Sequence, residues 1–343
     1  MDDLAHARVL RDQLGPTFCL TYVKDADAAT ALRRLGGCPD TIRERTTAEV
    51  TGQRQSAEAG SPEVAVALEL GAWSVVIEPG GILGADHGLL EVASRGSAAV
   101  SVLRHDDAAA HFGYAVDGTT IIGFDPGYPA EETVWGADPG MLRHLMDALG
   151  LRAPTDEYEP TWPDAEARAI VLAQRITGAR LPDQPLSAAR ISAELEPWFV
   201  TPATAGDLLR AGRRTPYAAE LVTAAEAAAP QLQRSVAVAE VRRQATVLGL
   251  ADTPGLLPAI ASGDPMTPDS PLGKQVREWL AAGRRAGRDS AFPWFLAALR
   301  GVRDPDPRVA LLAALKPYGS GLPGLADEQA RTAVLAALGD QAR

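Results

Sequence analysis

The stretch Val64-Ala65-Val66-Ala67-Leu68-Glu69-Leu70, with Trp73, Val75 and Ile77 carrying its pattern on to Glu78-Pro79-Gly80-Gly81, decides how this chain is read. Apolar side chains alternate with small or charged ones, the period of an extended strand, so residues 64–78 read as a strand that leaves through a glycine turn. A helix over 85–94, carrying Leu89, Leu90 and Val92, is expected next. Strand-like runs follow at 98–103, 109–116 and 119–124. Asp117-Gly118 joins the last two, and a type I′ hairpin needs positive φ at both central residues, which Asp and Gly tolerate.

Upstream, residues 4–14 read as a helix stopped by Gly15-Pro16, and 17–23 as a strand rich in β-formers. Asp25 or Asp27 then opens a helix that turns Ala28, Ala31, Leu32 and Leu35 inward and is closed by Gly36-Gly37. Residues 39–62 hold almost no large apolar side chain and read as a loop.

Downstream, Asp125-Pro126-Gly127-Tyr128-Pro129 breaks regular structure. Helical spacing of Met141, Leu142, Leu145, Met146 and Leu149 ends at Gly150. The acidic, proline-bearing residues 153–163 read as a connection, and a helix with Ala169, Ile170, Leu172, Ala173 and Ile176 stops at Thr177-Gly178. From Leu186 onward only helices are expected: 187–194, 203–211, 218–229, 232–248, 256–261, 272–286, 292–299, 308–315 and 327–338. Prolines punctuate them, which suggests a solenoid or an irregular bundle. Asp304-Pro305-Asp306-Pro307-Arg308-Val309, running into Leu311 to Leu315, resembles the start of the inner helix of HEAT-type repeats, with a looser counterpart at residues 241–249.

A broader likeness covers the first half of the chain. Phe18-Cys19-Leu20-Thr21-Tyr22-Val23-Lys24, Ala31-Leu32-Arg33-Arg34-Leu35-Gly36, the strand ending at Glu78, Ala98-Ala99-Val100-Ser101-Val102 and Phe112-Gly113-Tyr114-Ala115-Val116-Asp117-Gly118 together resemble an uncharacterised actinobacterial family, a domain of unknown function. The resemblance continues through residues 172–178. It implies no activity and no catalytic residues.

At 343 residues the chain exceeds what one core usually serves, so two or three domains are expected. An apolar share of 46% argues against disorder, and 5% aromatics leaves the core to aliphatic and small side chains. The net charge of −11, with arginines in isolated pairs, disfavours a nucleic-acid face, which concentrates positive charge. Cys19 and Cys38 are too few for a disulfide framework or a zinc site and read as free buried thiols. The N-terminus lacks an apolar signal core and no run has the length of a membrane span, so a cytoplasmic location is expected.

Three sets of residues stand out as candidate sites. Gly80, Gly81 and Gly84 lie between a strand and a helix, the setting in which glycine loops cradle anions. Their spacing matches no phosphate motif, and glycine also serves a sharp turn by itself. His105, Asp106 and His111, with Asp107, are the densest set of metal-ligand types, placed about one hairpin; Asp-Asp is equally ordinary turn chemistry. Trp198 and Phe199 beside Pro197, and Trp294, offer aromatic surface to a partner or fill the core. No G-x-S-x-G is present, neither cysteine has a histidine nearby in sequence, and no cofactor motif is complete.

The expected fold class is α+β: an N-terminal, mainly antiparallel sheet with flanking helices (1–150), a helical connection (151–185), and an all-α, irregular, HEAT-like helical region (186–343). A non-enzymatic protein-interaction module, immunity-like or of scaffold or regulatory kind, is the expected function. The rival is an enzyme or a small-ligand or metal-binding protein with its site near Gly80–Gly84 and His105/His111. A protein partner is expected; nucleic acid and membrane are not.

Overall fold

The computed structural model describes residues 2–56, 60–152, 164–203, 216–263, 266–287, 290–320 and 325–339. It divides into two compact units, Met1–Ala57 with Pro62–Thr201 and Glu58–Ser61 with Pro202–Arg343. The architecture is α+β, an antiparallel sheet with helices followed by a helical region.

The first unit is built on eight strands: β1 (Thr17–Lys24), β2 (Arg43–Arg45), β3 (Glu63–Leu70), β4 (Trp73–Pro79), β5 (Ala98–His105), β6 (His111–Val116), β7 (Thr119–Phe124) and β8 (Arg190–Leu195). Their order in the sheet is β2-β8-β3-β4-β1-β5-β6-β7, with every neighbouring pair antiparallel. Alternation along the strands divides the side chains between two faces. One face carries Phe18, Leu20, Tyr22, Val75, Ile77, Val100, Val102, Phe112 and Phe124, buried with helices α1 (Asp3–Leu14), α5 (Arg143–Leu149) and α6 (Ala165–Thr177). The other is built from smaller residues such as Ala65, Ala67, Val76, Ala99, Ala115 and Ala193, packed with α2 (Ala28–Arg34) and α4 (His87–Ser94).

Several expectations need correction. Residues 64–78 form a hairpin, because Gly71 at φ +68 reverses the chain between Leu70 and Trp73. Residues 39–62 contain the edge strand β2 and a helix, α3 (Thr47–Ser56). A capping box starts that helix: the Glu49 carboxylate accepts from the Thr46 backbone N–H at 2.7 Å, and Thr46 Oγ1 accepts from the Glu49 N–H at 3.2 Å. The expected helix at 187–194 is contradicted by β8, which lies between β2 and β3. Ala, Glu and Leu favour a helix there, but Ser192 and Ala193 pair with Val66 and Ala65, and sheet pairing overrides local propensity. Asp117 and Gly118 do hold positive φ, +46 and +79, at the β6–β7 hairpin.

Both sheet edges are blunted. β2 is three residues long and wholly charged, Arg43-Glu44-Arg45. The free side of β7 is strapped by residues 135–138: Gly123 and Trp135 exchange both backbone hydrogen bonds, and the Ala137 and Asp138 N–H groups donate to Thr120 and Ile121 carbonyls.

The second unit is helical, with α7 (Pro216–Ala227), α8 (Pro230–Val247), α9 (Leu256–Ser262), α10 (Pro271–Ala286), α11 (Phe292–Gly301), α12 (Pro307–Ala314), α13 (Lys316–Ser320) and α14 (Glu328–Gly339). Proline stands in the first turn of α8, α10, α11 and α12, where its missing N–H costs nothing. Among the described residues, the core of this unit buries Glu240, whose Oε1 accepts from Arg243 at 2.7 Å, Gln244 at 2.9 Å and Tyr318 at 3.2 Å. The helix expected at 203–211 and the connection at 153–163 fall outside the described residues, apart from Ala203.

Candidate functional site at one end of the sheet

Because neighbours alternate in direction, β4, β5, β7 and β8 all run the same way, and the loops that follow them emerge at one end of the sheet. Most of the residues singled out from the sequence are gathered there: Gly80, Gly81 and Gly84 after β4, His105 and Asp106 at the close of β5, His111 at the start of β6, and Trp198 and Phe199 after β8. Trp294 is half-buried on α11, in the other unit.

On the small-residue face a row runs across four strands. Register places Glu78 of β4 beside Cys19 of β1, Cys19 beside Leu103 of β5, and Leu103 beside His111 of β6. The row above it, one pleat further in, contains Thr21 and Ser101, likewise paired. At about 4.8 Å per strand, Glu78 and His111 stand three strands, roughly 14 Å, apart. They share a row without touching.

Glu78 is 1% exposed. Its two oxygens accept the Leu83 and Gly84 backbone N–H groups, each at 2.8 Å. The N–H groups that an anion-binding loop would offer to a ligand are thus engaged by a side chain from the preceding strand. The glycines belong to this arrangement. A Cβ on Gly84 would stand 2.1 Å from Thr21 Oγ1 and 2.8 Å from Glu78 Oε1, and one on Gly81 would stand 2.1 Å from Glu63 Oε2. At Gly80, φ is +70 and the Arg54 guanidinium occupies the place of a Cβ. Burial pushes the Glu78 carboxyl up to about 7; the two N–H donors oppose the shift and the neighbouring Glu63 charge adds to it.

Cys19 is fully buried beneath Gly84, its Sγ 3.6 Å from Ser101 Oγ and 3.9 Å from Thr21 Oγ1. Burial, then the charge of Glu78, holds the thiol far above its ordinary value, so it stays protonated and unreactive. Cys38 is buried as well, and both cysteines are free.

The far end of the row is aromatic. His111 stacks on Trp135 at 6.3 Å between ring centroids, and His87 meets the same indole edge-on at 5.8 Å. Gly123 makes room: a Cβ there would stand 2.5 Å from the indole ring. The His111 Nε2 is buried without a hydrogen-bond partner, and burial, helped by His87, drives the ring down to about 4. It is neutral at physiological pH. Trp135 itself remains 41% exposed.

The other candidates have local partners. Asp106 is paired with Arg104, whose Nε and Nη2 donate to it at 3.2 and 3.1 Å. His105 Nδ1 accepts from the Asp107 N–H at 3.1 Å. Among the described residues no group of three or more His, Cys, Asp or Glu is arranged to hold a metal ion. Trp198, 8% exposed, meets Phe199 edge-on at 5.0 Å in the turn Pro197–Phe199. Sequence reasoning passed over Glu78, Trp135 and His87 as site residues. A glutamate ending an otherwise apolar strand directly before Pro-Gly-Gly was the available signal for the first. Nothing local announced that Trp135 would lie on Gly123.

No helix among the described residues is long and apolar enough to cross a membrane. No curated protein and no solved structure matches the chain. Residues 2–197 match a family model, and that span takes in all eight strands through β8. By that match, which extends over more than half its length, the chain belongs to the family of unknown function DUF6461.

Proposed function

We propose that the chain is a non-enzymatic protein-interaction module of scaffold or regulatory kind, acting in the cytoplasm through the loop-bearing end of its sheet. The reading rests on a contrast within that end. Glu78, Cys19, Thr21 and Ser101, the groups with chemistry to offer, are at most 1% exposed, while Ile82, Tyr128 and Trp135 in the covering loops are 41–47% exposed. Large apolar and aromatic side chains held on a firm support are what interface centres use. Site-directed photo-cross-linking tests it: a photoreactive residue at Ile82 or Tyr128 is expected to give a discrete adduct with one protein in the native cell, and the same residue at Val247 or Leu257 is not. Equal labelling from all four positions contradicts it.

One observation favours a second reading. A carboxylic acid brought near neutrality by burial is the property that general acid–base catalysis selects. Glu78 would then act on a small ligand admitted when the Gly80–Gly84 loop opens. Substrate turnover lost in Glu78→Gln and retained in Ile82→Asp supports that reading and removes the first.

A further inference from the structure

A cleft in the first unit lies between residues 129–139 and α5, with a volume of about 240 Å³. Pockets for drug-sized molecules run to roughly 300–1,000 Å³, so this one suits a smaller ligand. Both walls are held by their own backbone. On one side the Thr133 and Val134 N–H groups donate to the Ala130 carbonyl at 3.0 and 3.1 Å, and Trp135 is bonded to Gly123. On the other, α5 ends at Gly150 in the left-handed region, and the Leu151 N–H donates to the Met146 carbonyl at 2.9 Å. The floor is apolar: Met146 and Leu151 are 6% and 2% exposed and belong to the core on the large-residue face, with Val134 packed against it.

Four charged side chains line the cleft above that floor, Glu131, Arg143, Asp147 and Arg152. Arg143, Met146 and Asp147 fall at i, i+3 and i+4 of α5, so one helix face supplies a cation, an anion and part of the floor. Glu131 comes from the opposite wall, and Arg152 follows Leu151. All four are exposed, and among the described residues none is hydrogen-bonded or ion-paired through its side chain. Elsewhere in this unit such groups do pair, Arg8 with Asp164 and Arg104 with Asp106. We propose that this cleft binds a small zwitterion, an α-amino acid with an apolar side chain. Two cations and two anions cancel, so a simple anion or a simple cation is repelled by one pair as it is drawn by the other. A molecule carrying both charges is drawn by all four. Its carboxylate takes the guanidinium donors of Arg143 and Arg152, its ammonium donates to Glu131 and Asp147, and its side chain covers Val134, Met146 and Leu151. The inference goes beyond the interaction reading and does not depend on it.

The test titrates the full chain, labelled at its methionine methyl groups, with L-leucine, L-methionine and L-phenylalanine. At least one should move the Met146 methyl resonance and leave that of Met266, in the other unit, in place, with a Kd of about 1 mM or tighter. The N-acetyl and amide derivatives of that amino acid, which lack one charge each, should bind about tenfold or more weakly. Arg143→Gln and Asp147→Asn, both at exposed positions, should each weaken the parent amino acid about five- to tenfold and leave the unliganded Tm unchanged. Either derivative binding as tightly as its parent overturns the proposal, since one charge would then suffice. Unchanged affinity in both variants, or no movement of the Met146 resonance with any of the three amino acids up to about 10 mM, overturns it outright.

Discussion

Glu78 and His111 occupy one row of one sheet face, and burial acts on them in opposite senses. The carboxyl is raised to about 7 and the imidazole lowered to about 4, because a low-dielectric interior penalises whichever form carries charge. Their covers differ. Glu78 is closed over by a glycine loop whose N–H groups it holds, whereas His111 lies beneath an indole that is itself in contact with solvent. Within about 14 Å the same face of the sheet goes from sealed polar chemistry to open aromatic surface. What decides between them is the cover, the glycine loop after β4 over Glu78 and Trp135 from the segment after β7 over His111.

The largest effect should come from breaking the seal. Gly84→Ala places a methyl group against Thr21 Oγ1 and the Glu78 carboxylate, and is expected to cost about 2–4 kcal/mol in chemical denaturation. Gly96→Ala, with nothing within 4 Å but φ of +65, serves as a control for backbone strain alone and should cost about 1 kcal/mol.

Next come two pH slopes of opposite sign. The folded value of Glu78 lies above its ordinary 4.5, so between pH 4.5 and about 7 the folded chain retains a proton that the unfolded chain has lost. Its stabilisation is complete below 4.5 and is lost as pH rises to 7, roughly 3 kcal/mol in all. For His111 the folded value lies below the ordinary 6.5, so its contribution is present above 6.5 and lost as pH falls toward 4, about 1–2 kcal/mol for a ring that keeps some solvent. In the overlap, pH 4.5 to 6.5, the two oppose each other. Urea midpoints across that range should therefore tilt upward with pH in Glu78→Gln and downward in His111→Phe. Variants that tilt the same way would show that the row does not carry these two neutral groups.

The smallest effect belongs to the open surface. Tyr128→Ser should change stability by less than about 0.5 kcal/mol, because this side chain is nearly half exposed. A thermal shift larger than that would mean it is structural, which would weaken the case for a docking surface.

Much of this fold was legible from local signals. The hairpin at Asp117-Gly118, the helix capped at Asp86 and the helix ending at Gly150 follow from turn and capping chemistry, which acts over a few residues. What escaped depended on distant partners. The strand at Arg190–Leu195 has helix-forming residues and owes its form to pairing with Glu63–Ala67, more than a hundred residues upstream. The helix at Thr47–Ser56 turns Val50 inward among mostly exposed neighbours, so no apolar stripe marks it; the Thr46–Glu49 capping box was its one readable sign. The glycine turn was legible in the sequence, but the identity of the group its N–H donors hold, the side chain of a glutamate from its own strand, appears only once the chain is folded. The same holds for Trp135, whose place is set by the absent side chain of Gly123 across the edge of the sheet.

The seal over the polar row is most directly tested at Cys19, whose Sγ would lie 3.1 Å from a Cβ on Gly84. In a Cys38→Ala background, the rate of Cys19 modification by a small aqueous thiol reagent should be about a thousandfold slower in the native chain than in the urea-unfolded one, as global stability of a few kcal/mol requires. Native labelling within tenfold of the unfolded rate would show that the loop stands open, and that the chemistry beneath it is within reach of a substrate.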